Sequence, residues 1–174
     1  MKLVIGLGNP DKQYENTYHN IGFMAIDVLA DKYDAVFQKT DCKAKVAETR
    51  VGGEKVILAK PQTYMNLSGE SILAFKSKYK IDTKDIYVFC DDIDLPFGKV
   101  RYRESGSAGT HNGLRNIVQH IGQDFKRVKI GIGRDEKFAN LADFVLSKIP
   151  SSRLEEMYEA IDEAVALVDK KLGE

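Results

Sequence analysis

Three histidines, one strand-end carboxylate and three asparagines carry the chemistry this chain can offer. His19 closes a stretch that begins Leu3-Val4-Ile5, turns through Gly6-Leu7-Gly8-Asn9-Pro10 and ends Tyr18-His19-Asn20-Ile21-Gly22-Phe23. A neutral imidazole, with an ordinary pKa of about 6.5, can accept a proton near neutral pH. Taken alone, such a residue is more often a surface or helix-capping histidine than a base. Asp91 ends the apolar run Ile86-Tyr87-Val88-Phe89-Cys90. A carboxylate there can hold one ring nitrogen of His19 and stabilise the imidazolium as it forms. His111, beside Asn112 at a helix start, reads as a residue that orients a neighbour or stacks on substrate. His120, near a helix end, needs only the helix dipole.

Asn9, Asn66 and Asn112 each stand where a loop meets an element. An amide donates and accepts without charge, so three converging amides suit a neutral, amide-rich substrate. Singly, each is also an ordinary cap or turn residue. Basic residues gather at Lys99, Arg101 and Arg103, then Arg115, then Lys126, Arg127 and Lys129. Alternation puts Lys99, Arg101 and Arg103 on one strand face, either solvated or facing phosphate.

Several other chemistries fail on spacing. Gly6-x-Gly8 has Asp11 where a dinucleotide loop needs a small residue, and no phosphate-loop Gly-x-x-x-x-Gly-Lys-Ser/Thr occurs. No Gly-x-Ser-x-Gly elbow presents a serine nucleophile. Cys90, inside an apolar strand, reads as buried and inert. Asp91-Asp92-Ile93-Asp94 lacks the glycine and terminal glutamate of a calcium loop, so no metal is expected. What remains is a water activated by His19.

The elements that must position these groups follow from periodicity. Lys2–Gly6 reads as a buried strand, and the helix after the loop runs from near Asn20 to about Lys32. Residues 43–50 and 54–60 are strands joined at Gly52-Gly53, a two-residue hairpin signal. Asn66 or Ser68 is the expected cap of a helix with Ile72, Phe75 and Tyr79 along one face. A buried strand ends at Asp91, and a more exposed one spans residues 99–104. Asp92 and Asp94 are expected to point away from Asp91. A helix covers residues 112–119, a strand 125–133 and a surface loop 135–141. Ser151 is the expected cap of a last helix whose apolar stripe reads as core. Interleaved strands and helices with one hairpin imply an α/β fold. It is a single domain over residues 1–174, with a twisted, mixed and largely parallel sheet and helices on both faces.

Composition sets the bounds. The chain has 174 residues, 43% of them hydrophobic, enough for one core. Lys plus Arg and Asp plus Glu are 26 each, so a nucleic-acid partner would need a local basic patch. Two cysteines without CxxC spacing suggest neither a disulfide framework nor a zinc site. The Met1-Lys2-Leu3 start lacks a signal-peptide apolar region, and no run reaches the ~18 apolar residues of a membrane span. The expectation is a soluble cytoplasmic protein.

Together, these stretches resemble the bacterial-type peptidyl-tRNA hydrolases from Leu3 to about Leu167. The resemblance is carried by Gly6-Leu7-Gly8-Asn9-Pro10, Tyr14, His19-Asn20-Ile21-Gly22 and the run Lys60-Pro61-Gln62-Thr63-Tyr64-Met65-Asn66-Leu67-Ser68-Gly69. Further on it rests on Asp91-Asp92-Ile93-Asp94-Leu95-Pro96, Gly109-Thr110-His111-Asn112-Gly113-Leu114 and Lys129-Ile130-Gly131-Ile132-Gly133. It implies hydrolysis of the ester joining a peptide to tRNA, with His19 as base, Asp91 as its partner and no cofactor. It also implies that Asn9 separates blocked from free amino groups. Asn66 and Asn112 would contact the aminoacyl end, Tyr14 and Tyr64 the substrate's 3′ end, and His111 would be a further substrate-binding residue. Arg103 and Lys129 resemble the clamp for the tRNA 5′ phosphate with Lys and Arg exchanged, which moves the bidentate group to the other partner. Gly106-Ser107-Ala108-Gly109-Thr110 departs from the glycine- and histidine-rich loop of some members, so altered lid mobility is expected. A monomer is implied. Two rival readings stay open on the residues: a non-catalytic RNA-binding module on the same fold, and an amidase or peptidase acting on small molecules.

Overall fold

The computed structural model describes residues 1–174. Seven strands form one sheet: β1 (Lys2–Gly6), β2 (Lys39–Asp41), β3 (Ala44–Val51), β4 (Glu54–Pro61), β5 (Ile86–Asp92), β6 (Val100–Arg103) and β7 (Lys126–Gly131). Their order is β2-β3-β4-β1-β5-β7-β6. The four central strands run parallel, and the antiparallel pairs lie at the two edges. β1 is buried from Leu3 onward and alternates sides. Val4 enters a core of 25 buried residues with helices α1 (Ile21–Lys32) and α5 (Ser151–Leu172), while Leu3 and Ile5 enter a second core of 17. Helices α2 (Ser68–Tyr79) and α3 (Asn112–Ile121) cover that second face. The expected single-domain, mixed α/β architecture with two covered faces is therefore present.

Order decides where ligands can go. From β1 the chain crosses to β4 on one side and later to β5 on the other. The crevice at the carboxyl ends of β1 and β5 is thus a topological switch point, where open α/β sheets bind ligands. The glycines of the first loop serve close approach: a Cβ on Gly6 would lie 2.1 Å from the Gly22 carbonyl oxygen, and one on Gly22 2.4 Å from the Leu7 nitrogen. The loop and the start of α1 therefore meet backbone to backbone, which sets the position of His19 between them. The Gly52-Gly53 turn has both φ angles positive, at 58° and 83°, as a two-residue hairpin of this hand requires.

Two expected helix caps are corrected, and two short elements were not foreseen. β2 is an unforeseen edge strand, three polar residues paired only to β3. The loop expected over residues 135–141 is present as far as Asn140, and a short helix that was not foreseen, α4 (Leu141–Val145), follows it. Neither Asn66 nor Ser68 caps α2, because a 3-10 turn over Met65–Leu67 leads straight into it and Ser68 Oγ donates back to the Met65 carbonyl at 2.7 Å. Ser151 is the first helical residue of α5, which begins after Pro150 without a side-chain cap. The apolar stripe of α5 does face the core, with Met157, Ile161, Val165, Val168 and Leu172 buried. No helix is long and apolar enough to cross a membrane.

Candidate active site

The parallel pairing of β1 with β5 brings the first loop beside the tip of β5, and there His19 meets Asp91. His19 sits in a 3-10 turn, Tyr18–Asn20, just before α1. Its Nδ1 lies 2.9 Å from Asp91 Oδ2 and 3.1 Å from Oδ1. A carboxylate only accepts, so Nδ1 carries the proton and the Nε2 lone pair is left free. Asp91 is 3% exposed, and both histidine side chains retain some access to solvent.

A second imidazole holds the same carboxylate. His111 Nε2 lies 2.9 Å from Asp91 Oδ1. On its other side, His111 Nδ1 accepts the Leu114 backbone N–H at 3.1 Å, capping α3. The cap assigns the tautomer: Nδ1 is the acceptor, so Nε2 carries the proton and donates to Asp91. With both nitrogens engaged, His111 has no lone pair for a reacting water. His19 does.

These bonds set the titration of the pair. Burial by itself pushes the Asp91 carboxyl up, but the two imidazoles outweigh it and hold the group far below the usual carboxylate range. Burial pulls His19 down, yet the Asp91 charge and hydrogen bond prevail and raise it. A base must be neutral to act, so kcat/KM should fall with acid through a midpoint above 6.5, measurable as a pH profile. Stability follows the same shifts. The His19 contribution is complete below its unfolded value of about 6.5 and is lost as pH rises through the raised folded value. The Asp91 contribution is present above about 3.9 and is lost only as pH falls through its depressed folded value.

His19 Nδ1, an Asp91 oxygen and His111 Nε2 lie within 4.8 Å of one another, close enough in outline to bridge a divalent cation. The α3 cap opposes it. A metal on His111 Nε2 would move that ring's proton to Nδ1, against the Leu114 N–H. Burial pushes the Cys90 thiol up, so no thiolate is available in this region.

A cleft of about 470 Å³ opens over the three groups. Asn9, Tyr64, Asn66, Asn112 and Lys129 line it with His19, Asp91 and His111. Asn9 is held on both sides. Asn20 accepts its backbone N–H at 2.8 Å and donates to its carbonyl at 3.0 Å, and Asn9 Oδ1 accepts the Met65 N–H at 2.8 Å. This leaves the Asn9 Nδ2 donors for the cleft. Tyr14 and Arg103 lie outside the walls. Tyr14 belongs to a 3-10 turn, and Arg103 is exposed on β6 with its guanidinium on the Tyr102 carbonyl. Lys129 Nζ is 3.9 Å from Asp92 Oδ2. Asp92 and Asp94, expected to point away, both line the cleft: residue alternation carries less weight where a strand gives way to a turn.

Three features escaped the reading of the sequence. Asn20 clamps Asn9, for which its place beside His19 was the only hint. α4 and the residue after it add an apolar wall through Ala142, Val145 and Leu146. Arg127 is fully buried without a carboxylate partner and donates to the carbonyls of Gly106, Gln123 and Phe125 at 2.8, 2.6 and 3.2 Å. It thereby anchors the loop that leads to His111.

The profile of the Peptidyl-tRNA hydrolase family matches residues 3–174. The chain belongs to the peptidyl-tRNA hydrolase family. A peptidyl-tRNA hydrolase of Brevibacillus brevis is 50% identical over 162 residues, 92% of this chain and 86% of that one. One of Alkaliphilus oremlandii is 46% identical over 97% of this chain and 91% of its own. The crystal structure of peptidyl-tRNA hydrolase from Acinetobacter baumannii, at 38% identity, superposes with a TM-score of 0.92 and covers 99% of this chain and 88% of that one. The cleft described above is thus the candidate active site of a peptidyl-tRNA hydrolase family fold.

Proposed function

We propose that this chain hydrolyses the ester between the peptide and the terminal ribose of peptidyl-tRNA, with His19 as general base. The observation that carries this reading is the His19–Asp91 contact at 2.9 Å, which leaves Nε2 as a free acceptor on an open cleft. His19 Nε2 takes a proton from water as the oxygen attacks the ester carbonyl. Asp91 stabilises the imidazolium formed. The Asn66 amide stands as donor to the developing oxyanion. Collapse of the tetrahedral intermediate breaks the bond to the ribose oxygen, and the His19 imidazolium returns the proton to that oxygen. A free peptide and an intact tRNA leave.

Asn9, rigid and with Nδ2 unspent, is the residue that tells a blocked amino nitrogen from a free one. Asn112 and His111 flank the aminoacyl end. Tyr14 and Tyr64 receive the 3′ end, whose unpaired bases stack on aromatic rings. The 5′ phosphate falls to the basic edge. There Arg101 stands opposite Lys129 and Arg103 opposite Arg127 in the β6–β7 ladder, so Arg103 and Lys129 share a face. The protein works as a cytoplasmic monomer.

Turnover of N-acetyl-aminoacyl-tRNA against the unacetylated form tests this reading. A rate ratio of at least about tenfold in favour of the acetylated substrate is expected, the worth of about 1.4 kcal/mol of discrimination. Equal rates remove the role of Asn9, and binding without cleavage removes the hydrolase.

A further inference from the structure

Tyr64, which lines the cleft, and Asp11, bonded to it, hold backbone conformations that side chains disfavour. Asp11 has φ 83° and ψ 139°, and Tyr64 has φ 65° and ψ 156°. Both lie in or beside a region that is nearly glycine-only. They are bonded to each other: the Tyr64 hydroxyl donates to Asp11 Oδ2 at 2.6 Å. The same two loops are tied again one step deeper, where Asn9 Oδ1 accepts the Met65 N–H. An inner bond therefore fixes the base of the contact, and an outer bond fixes the ring that lines the cleft and stands 48% exposed.

Glycine at these positions would relieve the backbone, so the fold gains nothing from Asp11 as a conformer. Its carboxylate makes one hydrogen bond, to the tyrosine. Residues in strained conformations persist where the surroundings over-determine them, and such sites cluster at ligand clamps. Tyr64 lines the cleft and Asp11 lines a second cavity of about 560 Å³, and Asn9 lines both. Released from Asp11, the Tyr64 ring would be free to leave the cleft rim.

We propose that Asp11 is a positioning residue: it pins the Tyr64 ring at the cleft rim as a preformed stacking platform for the unpaired 3′-terminal base of the substrate. This rests on the reading of Tyr64 as a 3′-end contact. A pinned ring loses less freedom on binding than a mobile one, so the bond lowers KM. The platform is remote from the ester carbonyl and holds ground state and transition state alike, so kcat does not depend on it.

The test compares Asp11→Gly, Asp11→Asn, Tyr64→Phe and Tyr64→Ala in steady-state turnover of N-acetyl-aminoacyl-tRNA, with thermal melts. Asp11→Gly is expected to raise KM about three- to tenfold, part of the loss that removing a stacking ring brings, with kcat within about twofold. Its Tm should rise by about 2–4 °C as the backbone relaxes. Asp11→Asn keeps an acceptor and tolerates positive φ, so its KM should stay near the parent's. Tyr64→Phe should match Asp11→Gly in KM, and the double variant should go no further. Opposite movements of Tm and substrate affinity are the signature that a purely structural residue would not give. A parental KM in Asp11→Gly beside a raised KM in Tyr64→Ala overturns the proposal alone. A fall in Tm together with affinity in Asp11→Gly overturns it too. A parental KM in Tyr64→Ala overturns the reading of Tyr64 and the proposal with it.

Discussion

Replacing His19 by alanine lowers kcat/KM for N-acetyl-aminoacyl-tRNA about 100- to 10,000-fold, the range that a positioned general base contributes. The loss should fall on kcat, because the His19 lone pair is used only once the water begins to attack. Folding is the necessary control. The substitution takes one of two imidazole partners from Asp91, which is 3% exposed in the parent, and leaves it His111, so some stability is lost. His111 still donates to Asp91 Oδ1, and the bonds holding Asn9 to Asn20 and Met65 do not involve His19. A cooperative melt combined with tRNA binding near the parent's would place the defect in chemistry. Turnover at the parental rate in a folded His19→Ala protein would end the general-base reading.

Why His19 and Asp91 could be paired from the chain alone is a matter of strand ends. Leu3-Val4-Ile5 and Ile86-Tyr87-Val88-Phe89-Cys90 are apolar runs without alternation, the mark of strands covered on both faces. Loops at the carboxyl ends of such strands converge. The 72-residue separation is closed by the register that sets Gly6 against Phe89. The helices were legible because their apolar residues recur at three and four. β2 was not: Lys39, Thr40 and Asp41 carry no hydrophobic signal, and β3 alone pairs with them. α4 has five residues, too few for a period to show.

The finer parts of the site depend on atoms that no pattern encodes. Which nitrogen of His111 bears a proton follows from one backbone N–H, that of Leu114. Whether Asn9 has a free amide follows from where Asn20 and Met65 put their donors and acceptors. The positive φ of Asp11 and Tyr64 runs against residue preference, so sequence rules miss it by construction. Helix starts failed for a related reason. α2 is entered from a 3-10 turn and α5 from a proline, so neither uses the serine or asparagine cap that the sequence suggests.

The His111 tautomer gives the second large effect, at Asp91. Substituting Asp91→Asn keeps the size of the side chain, yet it should lower kcat about 1,000- to 10,000-fold, as when the orienting aspartate of a Ser-His-Asp triad becomes an amide. The cause is a chain of donors. Leu114 N–H holds His111 Nδ1, so His111 Nε2–H must donate, and it will draw the amide oxygen of the new side chain to the Oδ1 position. The amide NH2 is then left where Oδ2 stood, 2.9 Å from His19 Nδ1. Facing a donor, Nδ1 must become the acceptor, and the His19 proton moves to Nε2, where the lone pair was needed. Loss of the charge also lowers the His19 pKa, so what activity survives should have its acid limb shifted downward. The arrangement can be probed through His111. In the double variant Asp91→Asn with His111→Asn, the new residue at 111 still offers a cap acceptor to α3 but no longer dictates the amide's orientation. The amide at 91 can then turn its oxygen to His19, and kcat should recover in part over the Asp91→Asn single variant. A double variant as inactive as the single one would mean that His111 does not set the orientation, and that the missing charge alone accounts for the loss.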